Sequence, residues 1–284
     1  MQQEFIVREA APGDERMAAA LLCRSFSPEI RRLTIWESSR IEDYLRPFLE
    51  DSGRASGNHI YLLHKSAQII GAILIRRIAR QMFPQALFVD APQRGSGLGN
   101  LLLGAALEAC SNRYPNLDET VWDVFQGFDR LEAWYERLGG VETDRKGWWV
   151  AGPGLARAMN ISAAYECRGV ADAAAQYDER EFCSFEVQIG ESAVEVGCLP
   201  GPYFRVLSRT ALEDPRFLHT LDCIDSQRGI LHIGDTAGLH DGWKLQFIMR
   251  RLQFKTGSLI QEFKKRTGVR GAPGITEAVC KLDQ

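Results

Sequence analysis

The stretch 89–107, VDAPQRGSGLGNLLLGAAL, constrains this chain more than any other. Glycines at 95, 97 and 99 stand between a strand-like run, ALFVD, and a leucine-rich run. Glycine admits positive φ and lets another molecule approach the backbone closely. Leu101, Leu102, Ala105, Ala106 and Leu107 fall at helical spacing, and Pro115 stops that helix. The β-branched and aromatic content of ALFVD reads as a strand. A bare loop at a helix N-terminus offers free N–H groups and the positive end of the helix dipole to an anion. The local expectation is a phosphate cradle, with Arg94 at its lip.

Three kinds of phosphate compete for such a loop. A Walker loop requires Gly-Lys-Ser/Thr, and the segment contains no lysine. A dinucleotide fingerprint counted from Gly95 requires glycine at position 100, which is Asn100. The pyrophosphate of coenzyme A also needs consecutive N–H donors. On this stretch the chain resembles the GNAT superfamily of acyl-CoA-dependent N-acyltransferases. That family's motif is Arg/Gln-x-x-Gly-x-Gly/Ala, with a strand valine five residues ahead of the arginine. Arg94, Gly97, Gly99 and Val89 stand in that register.

A second segment extends the resemblance. VWDVFQGFDRLEAWYERLGG puts Val124, Phe128 and Tyr135 where the family has a strand-ending valine, often an asparagine, and a tyrosine. Phe128 replaces the asparagine, and Gly140 stands where YEKLGF-like sequences end in phenylalanine. The resemblance covers residues 1 to about 152 and does not reach the rest of the chain.

The resemblance implies an α/β (α+β) fold whose first domain, 1–152, is a mixed, mostly antiparallel sheet flanked by helices. It implies acetyl-CoA as co-substrate, held by Phe88, Val89, Arg94, Gly95, Ser96, Gly97, Leu98 and Gly99, with strand N–H groups near Phe88 and Val89 on the pantetheine and thioester. It nominates Tyr135 as general acid, and a phenol is a suitable neutral donor at pH 7. The amine must lose a proton, and Asp90 and Asp123, which close the two central strands, are candidate bases or else solvated strand ends. The implied reaction is direct transfer of acetyl from acetyl-CoA to an amine, a small molecule being slightly favoured over a protein. The alternative is a decayed acyl-CoA-binding sensor or interaction protein, at which Phe128 hints.

With 284 residues the chain has room for two domains. Gly-Pro-Gly at 152–154 reads as a hinge, and residues 155–284 as an α+β domain of unidentified family. That region has no second Arg-x-x-Gly-x-Gly loop, which argues against a tandem catalytic copy. Its acceptor-shaping or dimer-forming role is open. SFEVQIGESAVEVGCL reads as a hairpin, PYFRVLS and GILHIGD as strands, and GWKLQFIMRRLQFKTGSLIQEFKKR as one or two amphipathic helices. In the first domain the expected order is β-α-α-β-β-β-α-β-α-β, with Asp14 capping the first helix and Pro47 breaking the second.

Charge is uneven. Residues 160–240 carry 6 Lys+Arg against 13 Asp+Glu, and residues 241–284 carry 9 against 4. Mutual pairing of these two regions is the simplest expectation, and it argues against nucleic acid as a partner. Seven cysteines with no Cys-x-x-Cys pair, no signal-like N-terminus and no membrane-length apolar run point to a cytoplasmic chain with reduced thiols and no membrane partner. His232, Asp235, His240 and Asp241 fit neither a zinc-helix nor a calcium-loop spacing, so no metal is expected. The GDTAG run at 234–238 resembles a loop near the flavin in some flavoproteins, but the strand-plus-GxGxxG opening is missing. A turn between a strand and a helix, with Asp235 capping, is the expectation there.

Overall fold

A computed structural model describes residues 3–50, 55, 57–155, 163–237, 239, 242–267 and 277–282. In the first half, β1 (Gln3–Glu9), α1 (Glu15–Cys23), α2 (Pro28–Arg31) and α3 (Ile41–Leu49) lead into a meander of β2 (Asn58–Lys65), β3 (Gln68–Ile78) and β4 (Gln81–Val89). Then come α4 (Leu98–Arg113), β5 (Glu119–Phe125), α5 (Asp129–Arg137) and β6 (Val141–Ala151). The order matches the expectation except for the additional short helix α2 between α1 and α3. Asp14 does not cap α1: its carboxylate accepts from Arg8, at 2.7 and 3.0 Å, and from the Ala11 amide. Pro47 lies inside α3, two residues before its end, so it shortens the helix without splitting it.

The second half repeats the plan. β7 (Cys167–Arg168), α6 (Val170–Arg180), β8 (Cys183–Ile189), β9 (Ser192–Cys198) and β10 (Tyr203–Val206) precede α7 (Arg209–Leu212), α8 (Pro215–Ile224) and β11 (Gly229–Gly234). β12 (Trp243–Lys255), α9 (Thr256–Thr267) and β13 (Glu277–Leu282) follow. All strands share one sheet, in the order β13-β1-β2-β3-β4-β5-β12-β6-β11-β10-β9-β8-β7. Apart from β13, that order reads alike from either end. β1 to β5 run inward from one side and β7 to β11 from the other, and the closing strands are exchanged, β12 beside β5 and β6 beside β11. Each half contains one parallel pair, β4 with β5 and β10 with β11, and the remaining ladders are antiparallel.

Two expectations are corrected here. Residues 243–255 form a strand rather than a helix, because the ladders of β5 and β6 claim their backbone on both edges. The run after Asp235 is therefore a link between two strands, while His240 and Asp241 lie outside the described residues. Among the described residues, the ion pairs that reach out of the basic C-terminal region also go to the first half rather than to residues 160–240. Arg250 reaches Glu132 and Glu142, Arg251 reaches Asp123, and Lys264 reaches Glu108.

The exchange reaches the core. Leu252, Phe254, Leu259, Ile260 and Phe263 are buried in the same cluster as Tyr61, Leu102, Trp122 and Tyr135. Gly104 lets α9 close on α4, since a β-carbon there would lie 2.7 Å from Phe263 Cβ. The opposite face of the first sheet packs α1 and α3 through Leu22, Leu45, Leu62, Leu74 and Phe88. Strands β2 and β3 thus bury both faces, and each large apolar side chain removed from water contributes about 1.5–3 kcal/mol. The 152/155 division in the sequence is crossed by β6, β12 and α9.

Candidate functional site

The parallel pair β4–β5 is joined only at its start, by Gln81 with Glu119 and Met82 with Thr120. Beyond Met82 the strands part. A bulge at Gln85 and the imino nitrogen of Pro84, which has no proton to donate, both fall on this freed stretch of β4. The Asp90 amide donates to the Ile70 carbonyl across β3 at 2.8 Å. Antiparallel alternation then commits the Phe88 amide to β3 and turns the N–H and C=O of Val89 toward the gap. Of the two amides expected on the pantetheine, only that of Val89 faces it.

The loop closes the end of the gap. Ala91–Gln93 make a 3-10 turn, Gly95 and Gly97 sit at φ +85° and +83°, and Gly97 is the residue before α4. Among the described residues, the N–H groups of Gly95, Ser96, Gly97, Leu98 and Gly99 find no acceptor. A β-carbon at 95, 97 or 99 would meet nothing within 4 Å. Gly99 is informative, because neither positive φ nor crowding within the protein accounts for it. Space is kept open in front of unpaired amides at a helix N-terminus, which fits a pyrophosphate. Leu98 turns its side chain into the core. The Ser96 hydroxyl donates to the Gln93 carbonyl at 2.5 Å, and Arg94 Nε donates to the Val89 carbonyl at 2.9 Å. The arginine therefore stands at the mouth of the gap, 5.3 Å from the Phe88 ring.

Tyr135 lies on α5, buried against Trp122 at 5.0 Å and Trp134 at 4.8 Å. Burial pushes its hydroxyl well above the ordinary tyrosine value, so it stays protonated across the neutral range. Trp134, which sequence reasoning passed over, donates its indole N–H to Asn100 Oδ1 at 2.8 Å and ties α5 to the first turn of α4. Asn100, the residue that broke the dinucleotide fingerprint, has this structural use. Phe128 is 40% exposed at the start of α5, and Gly140 is filled from elsewhere, by the ring of Phe254.

The two candidate carboxylates are not brought together. Asp90 is held by Arg24 at 3.1 Å, beside the loop. Asp123 is held by Arg251 through two hydrogen bonds, at 2.7 and 2.8 Å. Asp123, but not Asp90, lines a cavity of about 480 Å³ between the two halves. Pro84 and Gln85 of the β4 bulge border the same cavity, as do Arg180 and Arg205 of the second half. These second-half residues carry no motif, and only the fold brings them to the gap.

The corresponding place in the second half is closed. β10 and β11 stay paired through four residues, to Val206 with His232, and His232 Nδ1 lies 2.9 Å from the Val206 carbonyl. No glycine loop follows β10; Ser208 caps the short α7 instead. Among the described residues no three His, Cys, Asp or Glu side chains come together as a metal site, and no helix is long and apolar enough to cross a membrane.

Comparison with known proteins agrees with the geometry. A family model described as an acetyltransferase (GNAT) domain matches residues 36–147. A solved tandem GNAT protein from the clavulanic acid biosynthesis pathway is 13% identical, with a TM-score of 0.59, over 89% of this chain and 99% of its own. A putative acetyltransferase from Pyrococcus horikoshii is 11% identical, with a TM-score of 0.59, over 88% of this chain and 89% of its own. A GCN5-related N-acetyltransferase from Anabaena variabilis is also 11% identical, with a TM-score of 0.52, over 89% and 73%. At these identities the likeness is one of fold, and no curated protein matches in sequence. Residues 36–147 match the GNAT acetyltransferase domain, and the chain shares its fold with solved GNAT proteins along most of its length.

Proposed function

We propose that this protein transfers acetyl from acetyl-CoA directly to a small-molecule amine at the β4–β5 gap. The observation that carries the reading is the row of unpaired amides at 95–99 with open space before its glycines. These amides and Arg94 would hold the pyrophosphate, and the gap-facing N–H and C=O of Val89 would hold the pantetheine arm. Bound there, acetyl-CoA supplies an activated acyl group. The amine nitrogen bonds to the acyl carbon, the carbon–sulfur bond breaks, and the amine's proton is lost as the thiol is formed.

The chain's own groups divide that work. Tyr135 donates a hydrogen bond to the departing sulfur; its raised hydroxyl makes it a standing donor rather than a strong acid. Asp123 lines the cavity and takes the amine's proton, directly or through water, because an alkylammonium near pKa ~10 must be deprotonated to react. Asp90, paired with Arg24 and outside the cavity lining, has no part in this step.

Gly99→Glu tests the reading without confusing it with folding. Glutamate at the second residue of α4 meets no neighbour and suits the helix start, so stability should be unchanged or slightly higher. It puts a side chain and a negative charge where the pyrophosphate would sit. Calorimetry should show acetyl-CoA affinity reduced at least ~100-fold, and unchanged affinity would contradict the site. The second reading, an acyl-CoA-binding sensor, is favoured by one observation: both candidate bases are tied to arginines. Tight acetyl-CoA binding with no turnover against any amine would support it.

A further inference from the structure

The cavity between the halves holds polar atoms that the protein leaves unsatisfied. Gln85 Oε1 is closed off from solvent and accepts no hydrogen bond. Arg180 Nε is likewise closed off and donates none; the Glu179 carboxylate, at 3.6 Å, is beyond hydrogen-bond reach. Arg76 and Arg205 line the same cavity, and neither guanidinium has a partner among the described residues. Arg76 stands on β3 opposite Phe83, beside the bulge that carries Gln85. Tyr44 reaches in from α3, its ring packed edge-on to Phe182 with centroids 5.1 Å apart. Tyr44, Arg76 and Arg180 all line this cavity; burial raises the Tyr44 hydroxyl, and the charges of Arg76 and Arg180 pull it back.

The cavity wall there is rigid. Ser38 Oγ donates to the Arg180 carbonyl at 2.8 Å, and Glu181 accepts from the Ser39 amide at 2.7 Å and its hydroxyl at 2.8 Å. Glu181 itself takes φ +63°, a conformation uncommon outside glycine. The end of α6 is thereby clamped to the turn before α3. Two acidic side chains line the cavity, and Arg251 already neutralises one of them, Asp123. The other, Glu195, shares the cavity lining with three arginines, Arg76, Arg180 and Arg205.

Arg180, orphaned at Nε, and the neighbouring donors of Arg76 and Tyr44 offer themselves to an acceptor, preferably an anionic group whose two oxygens match the guanidinium fork. An orphaned acceptor at Gln85, on the freed edge of β4, needs an N–H. We propose that the acceptor substrate is a small amine that also carries an anionic oxygen group, foremost a carboxylate, with the anion between Tyr44, Arg76 and Arg180 and the amine at Gln85. This rests on the transferase reading above, and it names the substrate class of that site.

The test uses the full chain with CoA present and matched amine pairs. Amino acids with side chains from glycine to tryptophan are each compared with their carboxamides. O-phosphoethanolamine against ethanolamine is the phosphate arm. Binding is followed by calorimetry and acetyl transfer by mass spectrometry. At least one acid should bind on the order of ten- to a hundredfold more tightly than its amide. Arg76→Gln and Arg180→Gln should each abolish that preference while keeping acetyl-CoA affinity, which controls for folding, and Arg76→Lys should retain part of it. A preference confined to the phosphate arm, and lost in the same variants, assigns the oxyanion as a phosphate on these residues. If no anionic member outranks its neutral partner, or the variants weaken both alike, the assignment is overturned. Transfer to neutral amines with no preference overturns it and leaves the transferase reading standing. Selective binding without transfer keeps the anion site and removes the transferase reading.

Discussion

Asp123 and Arg251 stand directly opposite each other across the β5–β12 ladder, joined by two hydrogen bonds of 2.7 and 2.8 Å. One belongs to the gap in the first half and the other to the strand that the second half contributes. The pair ties the candidate site to the strand exchange. A double-mutant cycle of Asp123→Asn and Arg251→Gln should return a coupling of about 1–2 kcal/mol, above the range of exposed ion pairs. Asp123→Asn should also lower kcat by roughly 100- to 10,000-fold, the size of a lost general base. A kcat within a few-fold of wild type would remove Asp123 from the proton path.

Phe254 supplies the first half with a ring that its own chain lacks at Gly140. A β-carbon at 140 would lie 2.5 Å from Phe254 Cζ, and the same ring packs edge-on to Trp122 at 4.9 Å. Phe254→Ala should cost about 3–5 kcal/mol in urea unfolding. A chain ending at residue 154 would lose β12 and α9 with their buried side chains and would bare the edge of β5. It should fail to fold cooperatively, and a soluble, two-state 1–154 fragment would contradict the exchange.

Tyr135→Phe removes one oxygen from a packed position and should leave stability and acetyl-CoA affinity nearly intact. If the hydroxyl serves the departing sulfur, kcat should fall by roughly 100-fold or more. Retention of most of the wild-type kcat would return Tyr135 to a purely packing role beside Trp122 and Trp134.

Acid stability should report on Glu9. Burial alone would raise its carboxyl, but His59 and Arg113, each 2.9 Å away, outweigh burial and hold it at about 2. A depressed carboxyl contributes stability above its unfolded value, near 4.5, and that stability is lost as pH falls toward 2. The contribution is on the order of 3 kcal/mol. Glu9→Gln should flatten the stability profile between those limits, and an unchanged profile would show that the loss comes from other groups.

The first half was legible because its signals are local. The glycine loop, its strand and its helix lie within twenty-odd consecutive residues, and the apolar runs of β2 and β3, like the alternation in β8–β9, read directly as strand. β12 was misread for a physical reason. Phe247 and Met249 pack on one face of the sheet, while Leu252 and Phe254, of the other parity, pack into the core on the opposite face. A strand that buries both faces in this way also satisfies helical spacing. The partner of the basic tail was misassigned because charge totals do not say which strand lies beside which. Tyr44, Arg76 and Arg180 come from three elements far apart in sequence, so no spacing could announce them.

Acetyl transfer at the β4–β5 gap is open to a chemical test. The full chain is incubated with acetyl-CoA isotopically labelled in the acetyl group and with a panel of small amines, and the products are read by mass spectrometry. Labelled acetyl should appear on the nitrogen of at least one amine, matched by release of free CoA, and should be lost in Gly99→Glu. Labelled product undiminished in Gly99→Glu, or no labelled amine from a protein that binds acetyl-CoA tightly, would contradict transfer at the gap.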